Sequence, residues 1–507
     1  MVMPRSADRA YTELIQQIKD ANLLNSCASV LAWDERTYMP RQGAAHRAEQ
    51  MALLARLAHE MWTAPRVGRL LDDVEGSALV RDKESVPAVN VREIRRVHDR
   101  AMKLPKALVE ELARVTSQAQ GIWQEARQAN DFATFLPWLE KIVALKRQEA
   151  DAIGFKDSPY DALLDEYEPG ATTAEIAKVF AGLREELAPL LAAIQASGRK
   201  PRRQLLEREY PVEKQQAFGQ EVAAAIGFDF EAGRLDTTTH PFCSGIGPGD
   251  CRITTRYNLH HFNESFFGIL HEAGHGLYEQ GLNPEHACTP MGSPVSLGIH
   301  ESQSRLWENQ VGRGRAFWEH FFPRARKTFP EALRRVSLDD FLFAINDVRP
   351  SFIRVEADEG TYNLHIILRF ELEQALLAGD LKPADVPAAW NENFRRSFQL
   401  TPPTDTQGCL QDIHWSMGGL GYFPTYTLGN LYAAQFMERA RRDLGDVDAQ
   451  FRKGDFGSLK GWLNERIHRP GQRWRAPDLC QKVTGKPLSH KPLLSYLRSK
   501  YAPMYGI

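Results

Sequence analysis

Long apolar runs are missing. No stretch of the 507 residues approaches the ~18 consecutive apolar side chains of a membrane span, so a helical membrane protein is excluded. An excess of charge is missing too: 63 Lys plus Arg face 65 Asp plus Glu, a formal net charge of -2, and no basic field marks nucleic acid as a partner. Cysteine is scarce. The six residues at 27, 243, 251, 288, 409 and 480 form no tight pairs along the chain, which favours reduced thiols over a disulfide framework. The opening residues lack the apolar core of a secretory leader, and with the thiols this gives a cytoplasmic expectation. Repeats, low-complexity tracts and strong linkers are also absent.

What is present is an ordinary globular composition, 43% hydrophobic and 25% charged, which excludes a disordered or fibrous chain. A chain this long can bury a large core without a covalent staple. Length alone suggests about three domains. The lack of linkers argues instead for one unit over 1–507, with an N-terminal helical lobe about 1–200 and a second region, the core, about 235–430. Leu14, Ile18 and Ala21 recur at helical spacing, as do Leu108, Leu112, Val115, Ala119 and Ile122 behind Pro105. Breaks fall near 75–87, 168–173 and the basic loop 198–203. Between 237 and 257 Gly, Pro and Thr accumulate, and 251–257 reads as a short strand. Helices are expected at 264–280, 294–310, 353–378 and around 428–442. The fold class is therefore mainly α with a small β-sheet.

His271-Glu272-Ala273-Gly274-His275 fits the pattern H-E-x-x-H. On a helix, residues four apart lie about 40° apart, so both imidazoles can reach one ion. Glu272 points about 100° away and can hold a water beside that ion. Phe266, Leu270, Ala273 and Leu277 form an apolar stripe nearly opposite the histidines, which lie beside the small Gly268 and Gly274. A third ligand is needed. Tyr278 and Gly281 break the extended metzincin pattern. Glu301, on a second helix opened by Ser293 and Pro294, would complete a His2Glu set, with Glu279, His286, His300 and Glu308 as rivals.

Five further segments stand in order along the chain with this motif. They are His240-Pro241-Phe242, Asp250-Cys251-Arg252-Ile253-Thr254, His300-Glu301-Ser302-Gln303, Ile353-Arg354-Val355-Glu356-Ala357-Asp358, and Gly408-Cys409-Leu410-Gln411-Asp412-Ile413-His414-Trp415. Trp33-Asp34-Glu35-Arg36-Thr37-Tyr38-Met39-Pro40 adds an N-terminal hallmark. In these motifs the sequence resembles the carboxypeptidase Taq family of metallocarboxypeptidases. The resemblance spans residues 33 to 415 with no signature position altered. It implies a helical saddle-like fold with a deep cleft, akin to neurolysin and angiotensin-converting enzyme. It also implies Zn2+ or sometimes Co2+, a homodimer, and broad removal of C-terminal residues from peptides. Carried over, His271, His275 and Glu301 would be the metal ligands and Glu272 the catalytic carboxylate.

Other roles follow from the chemistry of peptide hydrolysis. The developing oxyanion needs a donor besides the metal, and His414 and Tyr422 are the candidates. A free terminal carboxylate suits a guanidinium fork, either Arg354 or Arg252. Arg354 is expected on a helical face with Asp358, Thr361 and His365, where an ion pair with Asp358 is the simpler alternative. His240 could line the cleft as a substrate contact. The strand 251–257 could act as an edge for an extended peptide, and the cysteines near the motifs read as buried thiols. An endo-acting oligopeptidase and a non-catalytic peptide-binding scaffold are the competing readings.

Overall fold

Residues 6–507 are described in a computed structural model; the first five, part of the segment read for a leader, lie outside the described residues. The chain opens with α1 (Ala7–Thr37), started by Ser6, whose hydroxyl accepts from the Arg9 N–H. Its expected apolar stripe of Leu14, Ile18 and Ala21 is fully buried. Leu14 and Ile18 join Val67, Leu70, Leu71, Val91 and Ile94 in a small core of their own. The main core is continuous from Leu108 to Tyr505. Helices ending at Val74 and Ala196 and starting at Val86 and Thr173 bracket the expected breaks. No helix among the described residues is long and apolar enough to cross a membrane.

Three short strands interrupt the helices: β1 (Gly233–Thr237), β2 (Cys243–Gly247) and β3 (Asp250–Thr255). β1 pairs parallel with β3 and β2 pairs antiparallel with it, in the order β1-β3-β2. The strand expected at 251–257 is therefore the central one. It has no free edge for a peptide, because the polar Gly-Arg-Leu-Asp-Thr stretch of β1 occupies one side and β2 the other. Side chains alternate along β3. Ile253 packs towards Gly276 of α2 (Phe262–Gly281), whereas Arg252 lies over the Trp33 ring of α1 at 4.4 Å.

After α2 comes α3 (Leu297–Arg305), capped by Ser296 rather than Ser293 and continued by a π-helical stretch, Leu306–Val311. The two helices pack closely at Gly274. A Cβ there would stand 2.6 Å from both the Gln303 carbonyl oxygen and the Ser304 Cα, so only glycine fits against that backbone. The helix expected at 353–378 is divided. Arg354–Glu356 is a single 3-10 turn, and α4 runs Tyr362–Ala378. Asp358 explains the division: its carboxylate accepts from the Gly360 and Thr361 N–H groups and the Thr361 hydroxyl ahead of α4. The last element at the site is α5 (Pro424–Leu444), longer than the expected 428–442 because Pro424 opens it.

Candidate metal centre

The helical spacing of His271 and His275 turns both imidazoles towards α3. Glu301 Oε2 lies 3.7 Å from His271 Nε2 and 3.5 Å from His275 Nε2. One ligand atom from each residue fits within 4.8 Å of the other two, a grouping able to hold a metal ion. A tetrahedral ion with bonds of about 2.0–2.2 Å places its ligand atoms roughly 3.3–3.6 Å apart. The two carboxylate–imidazole separations, 3.7 and 3.5 Å, lie at or just above that edge length, so these three residues fit a zinc-sized cation.

The rivals for the third ligand stand behind the set. Glu308 Oε2 lies 2.9 Å from His271 Nδ1. His300 Nδ1 lies 2.5 Å from His275 Nδ1, and its Nε2 meets Glu279 Oε1 at 2.8 Å. Each metal-facing imidazole is thus held through its other nitrogen, the contact that fixes ring orientation at metal sites. His286 sits in the 3-10 turn Pro284–His286, outside this group.

Charge is balanced around the carboxylates. Burial alone would raise the Glu301 carboxyl, but Arg305, bonded at 2.7 Å, and the two imidazoles hold it well below its usual range. Burial likewise opposes ionisation of Glu308, yet Arg305 and His271 bring it down to about 2. His275 is pushed down to about 3, chiefly by burial, which keeps the neutral imidazole that can donate a lone pair. Glu272 lies on the buried side of α2. Burial pushes its carboxyl up to about 7, with His271 opposing and Glu301 adding to the rise.

A second group of residues adjoins this centre. His414 Nε2 lies 3.1 Å from the Tyr426 hydroxyl, and the Tyr422 ring is 5.2 Å from His414 and 5.5 Å from Tyr426. Burial pushes both phenols up, and the Glu301 charge adds to the effect at each. Tyr426 was missed by sequence reasoning, although Tyr422 and Tyr426 are four residues apart across the start of α5.

Arg354 is buried beside these rings, with its guanidinium 5.0 Å from the Tyr426 centroid. Its partner is Asp412, not Asp358. Nε and Nη2 donate to Asp412 Oδ1 at 2.9 and 2.8 Å, and Nη1 donates to the Tyr362 hydroxyl at 3.0 Å. Arg369 donates to the other Asp412 oxygen at 2.6 Å. Tyr362 lies under Arg305, 4.4 Å away, so contacts run from Glu301 through Arg305 and Tyr362 to Arg354.

Two candidates are not brought into this assembly. Arg252 faces away from α2, paired with Asp250 and stacked on Trp33, which makes the Trp33 hallmark and the Asp250–Thr254 motif one packing unit. His240 is exposed in the loop between β1 and β2.

Two imidazoles and a carboxylate from neighbouring helices, with a buried carboxylate beside them, form the donor set of a helical metallopeptidase. The carboxypeptidase Taq (M32) metallopeptidase family matches residues 13–501, and the chain belongs to that family of peptide hydrolases. The chain is 51% identical to thermostable carboxypeptidase 1 of Thermus thermophilus, over 98% of this chain and 99% of that protein. It is 37% identical to carboxypeptidase 1 of Bacillus subtilis, over 97% of this chain and 98% of that one. Its fold superposes on the crystal structure of the M32 carboxypeptidase from Deinococcus radiodurans with a TM-score of 0.95, at 40% identity over 98% of this chain and all of that one. The helical saddle-like fold with its small sheet is accordingly that of this family.

Proposed function

We propose that the protein is a zinc-dependent carboxypeptidase, also able to use Co2+, that removes C-terminal residues from peptides with broad specificity. The observation that carries this reading is the convergence of His271 Nε2, His275 Nε2 and Glu301 Oε2 at tetrahedral-edge distances. These three residues hold the ion, oriented by Glu308 and His300. A divalent cation held there supplies Lewis acidity towards the scissile carbonyl and lowers the pKa of water at the site.

Glu272 takes the proton of the attacking water and returns it to the leaving amine, a role suited to a carboxyl brought up to about 7. His414 and the Tyr422–Tyr426 pair stabilise the oxyanion, with Tyr426 the better placed phenol because it meets His414 directly. Arg354 binds the terminal carboxylate. Three of its five N–H donors are taken by Asp412 and Tyr362, which leaves one on each terminal nitrogen for the carboxylate oxygens. Arg252 does not share this role, and His240 meets substrate from the exposed loop ahead of β2. In the same reading residues 1–507 are one peptidase unit, with the helical lobe about 1–200 and the catalytic core about 235–430. The family resemblance supports a homodimer, and the six unpaired cysteines support a cytoplasmic location.

The test is incubation of metal-loaded protein with peptides bearing free or amidated C-termini, with products read by mass. Loss of single terminal residues from free peptides alone is expected. Equal internal cleavage of both would replace the exopeptidase reading with an oligopeptidase, and no cleavage of either would overturn the proposal.

A further inference from the structure

Cys243 and Cys251 are eight residues apart in sequence, but their sulfurs lie 3.6 Å apart across β2 and β3. Both project from the sheet face that packs on α2. In the ladder Cys243 is opposite Ile253 and Gly245 is opposite Cys251, so the thiols occupy diagonal positions on one face. A disulfide bond is about 2.05 Å long, so closure needs the sulfurs to approach by about 1.5 Å. The ladder has room to give there, because the pairing is already bulged between Gly245 and Gly247. Access exists as well. Cys243 is a partly exposed residue, and a cavity of about 460 Å³ bounded by Ser26, Gly245 and Glu279 is also lined by Cys251.

We propose that Cys243 and Cys251 are an oxidation site, closed to a disulfide by hydrogen peroxide, and that closure weakens the metal centre behind it. In the first step the Cys243 thiolate attacks one peroxide oxygen, breaking the O–O bond, forming a sulfenic acid and expelling hydroxide. Cys251 sulfur then displaces the sulfenic hydroxyl. The two thiol protons and the peroxide leave as two waters, and both sulfurs are oxidised by one electron each. Hydrogen bonding to Cys251 and burial hold the Cys243 thiol well above its ordinary value, so the step is slow at neutral pH and faster in alkali.

The link to the metal centre is a chain of contacts. Gly245 presses on the Glu279 carboxylate so closely that no Cβ fits between them. Glu279 holds His300 at 2.8 Å, and His300 lies 2.5 Å from His275. Drawing β2 towards β3 displaces the strand on which Glu279 leans, and through His300 it disturbs the orientation of a metal ligand. The effect on hydrolysis rests on the proposed function, whereas disulfide formation does not.

Metal-loaded protein would be treated with hydrogen peroxide, alkylated under denaturing conditions and digested with trypsin. The tryptic peptide 235–252 carries both cysteines and no internal Lys or Arg. It should become lighter by two hydrogens, resist alkylation and revert with dithiothreitol. Metal affinity and hydrolysis should fall roughly tenfold, the low end for disturbing groups behind a metal ligand, and then recover. Cys243→Ser should show neither change. Two alkylatable thiols after peroxide, or a cross-link from this peptide to another cysteine, would overturn the site. A closed disulfide with unaltered metal affinity would overturn the coupling. Absence of hydrolysis before oxidation would count against the proposed function alone, since mass and metal affinity still report on the disulfide.

Discussion

Replacing Gly274 by Ala sets two magnitudes against each other. In an isolated helix the change stabilises by about 1 kcal/mol. Here the new methyl would stand 2.6 Å from the Gln303 oxygen and the Ser304 Cα and 3.0 Å from the Gln303 carbonyl carbon, all backbone atoms that cannot rotate away. Ordinary carbon contacts lie at about 3.5–4.0 Å, so α2 and α3 must part by about 1 Å. Overpacking of this kind costs about 1–3 kcal/mol, which leaves the metal-free protein up to ~2 kcal/mol less stable. The metal feels the change more, because the same displacement separates the His271 and His275 nitrogens from Glu301. Metal–ligand bonds tolerate about 0.2 Å, so a shift of that size should lower affinity by at least the roughly 10–100-fold seen when supporting groups are disturbed. Zinc titration against a chromogenic chelator gives the affinity, and thermal unfolding of metal-free protein gives the stability. If Gly274→Ala binds zinc as tightly as the parent, the argument that glycine sets the separation of the two helices is wrong.

Three further outcomes are expected. Glu308→Gln removes the charge that meets His271 Nδ1 at 2.9 Å and should weaken metal binding about tenfold; unchanged affinity in the chelator titration would remove Glu308 from the account. Glu168→Gln bears on stability: burial pushes this carboxyl up to about 8 against the N–H of Gly298 and the Ser296 hydroxyl. The folded protein therefore retains a proton that the unfolded chain loses near 4.5, stability falls as pH rises through that window to about 8, and the Gln variant should be flatter and more stable by up to a few kcal/mol at alkaline pH. Parallel urea-unfolding profiles against pH would contradict this. Tyr426→Phe should lower kcat by about 10²–10³ with little change in KM, more than Tyr422→Phe does; equal kinetics in Tyr426→Phe and parent would show that His414 acts without it.

The legible parts of the site are those whose geometry follows from local spacing. His271, Glu272 and His275 share one helix, and Glu301 could be ranked above its rivals by family likeness. The rivals themselves proved informative: Glu308, His300 and Glu279 carry chemistry typical of ligands but stand one contact further out. Sequence separation alone does not distinguish these two shells. The helix expected at 353–378 includes Arg354 and sets Asp358, four residues on, as its ion-pair partner. The run Asp358-Glu359-Gly360-Thr361 is equally a helix-start signal, and that signal prevails. The true partner, Asp412, is 58 residues away. Strand order was hidden for a related reason, since β1 has too few apolar residues to read as a strand and its pairing with β3 is non-local. The contact between Cys243 and Cys251 also depends on register, which the cysteine spacing does not reveal.

Anomalous diffraction from crystals of the zinc-loaded protein, recorded on either side of the zinc absorption edge, tests the central claim most directly. The account predicts one strong peak within about 2.0–2.2 Å of His271 Nε2, His275 Nε2 and a Glu301 carboxylate oxygen. A protein that binds zinc elsewhere, or a peak at this place that lacks the Glu301 oxygen, would contradict it.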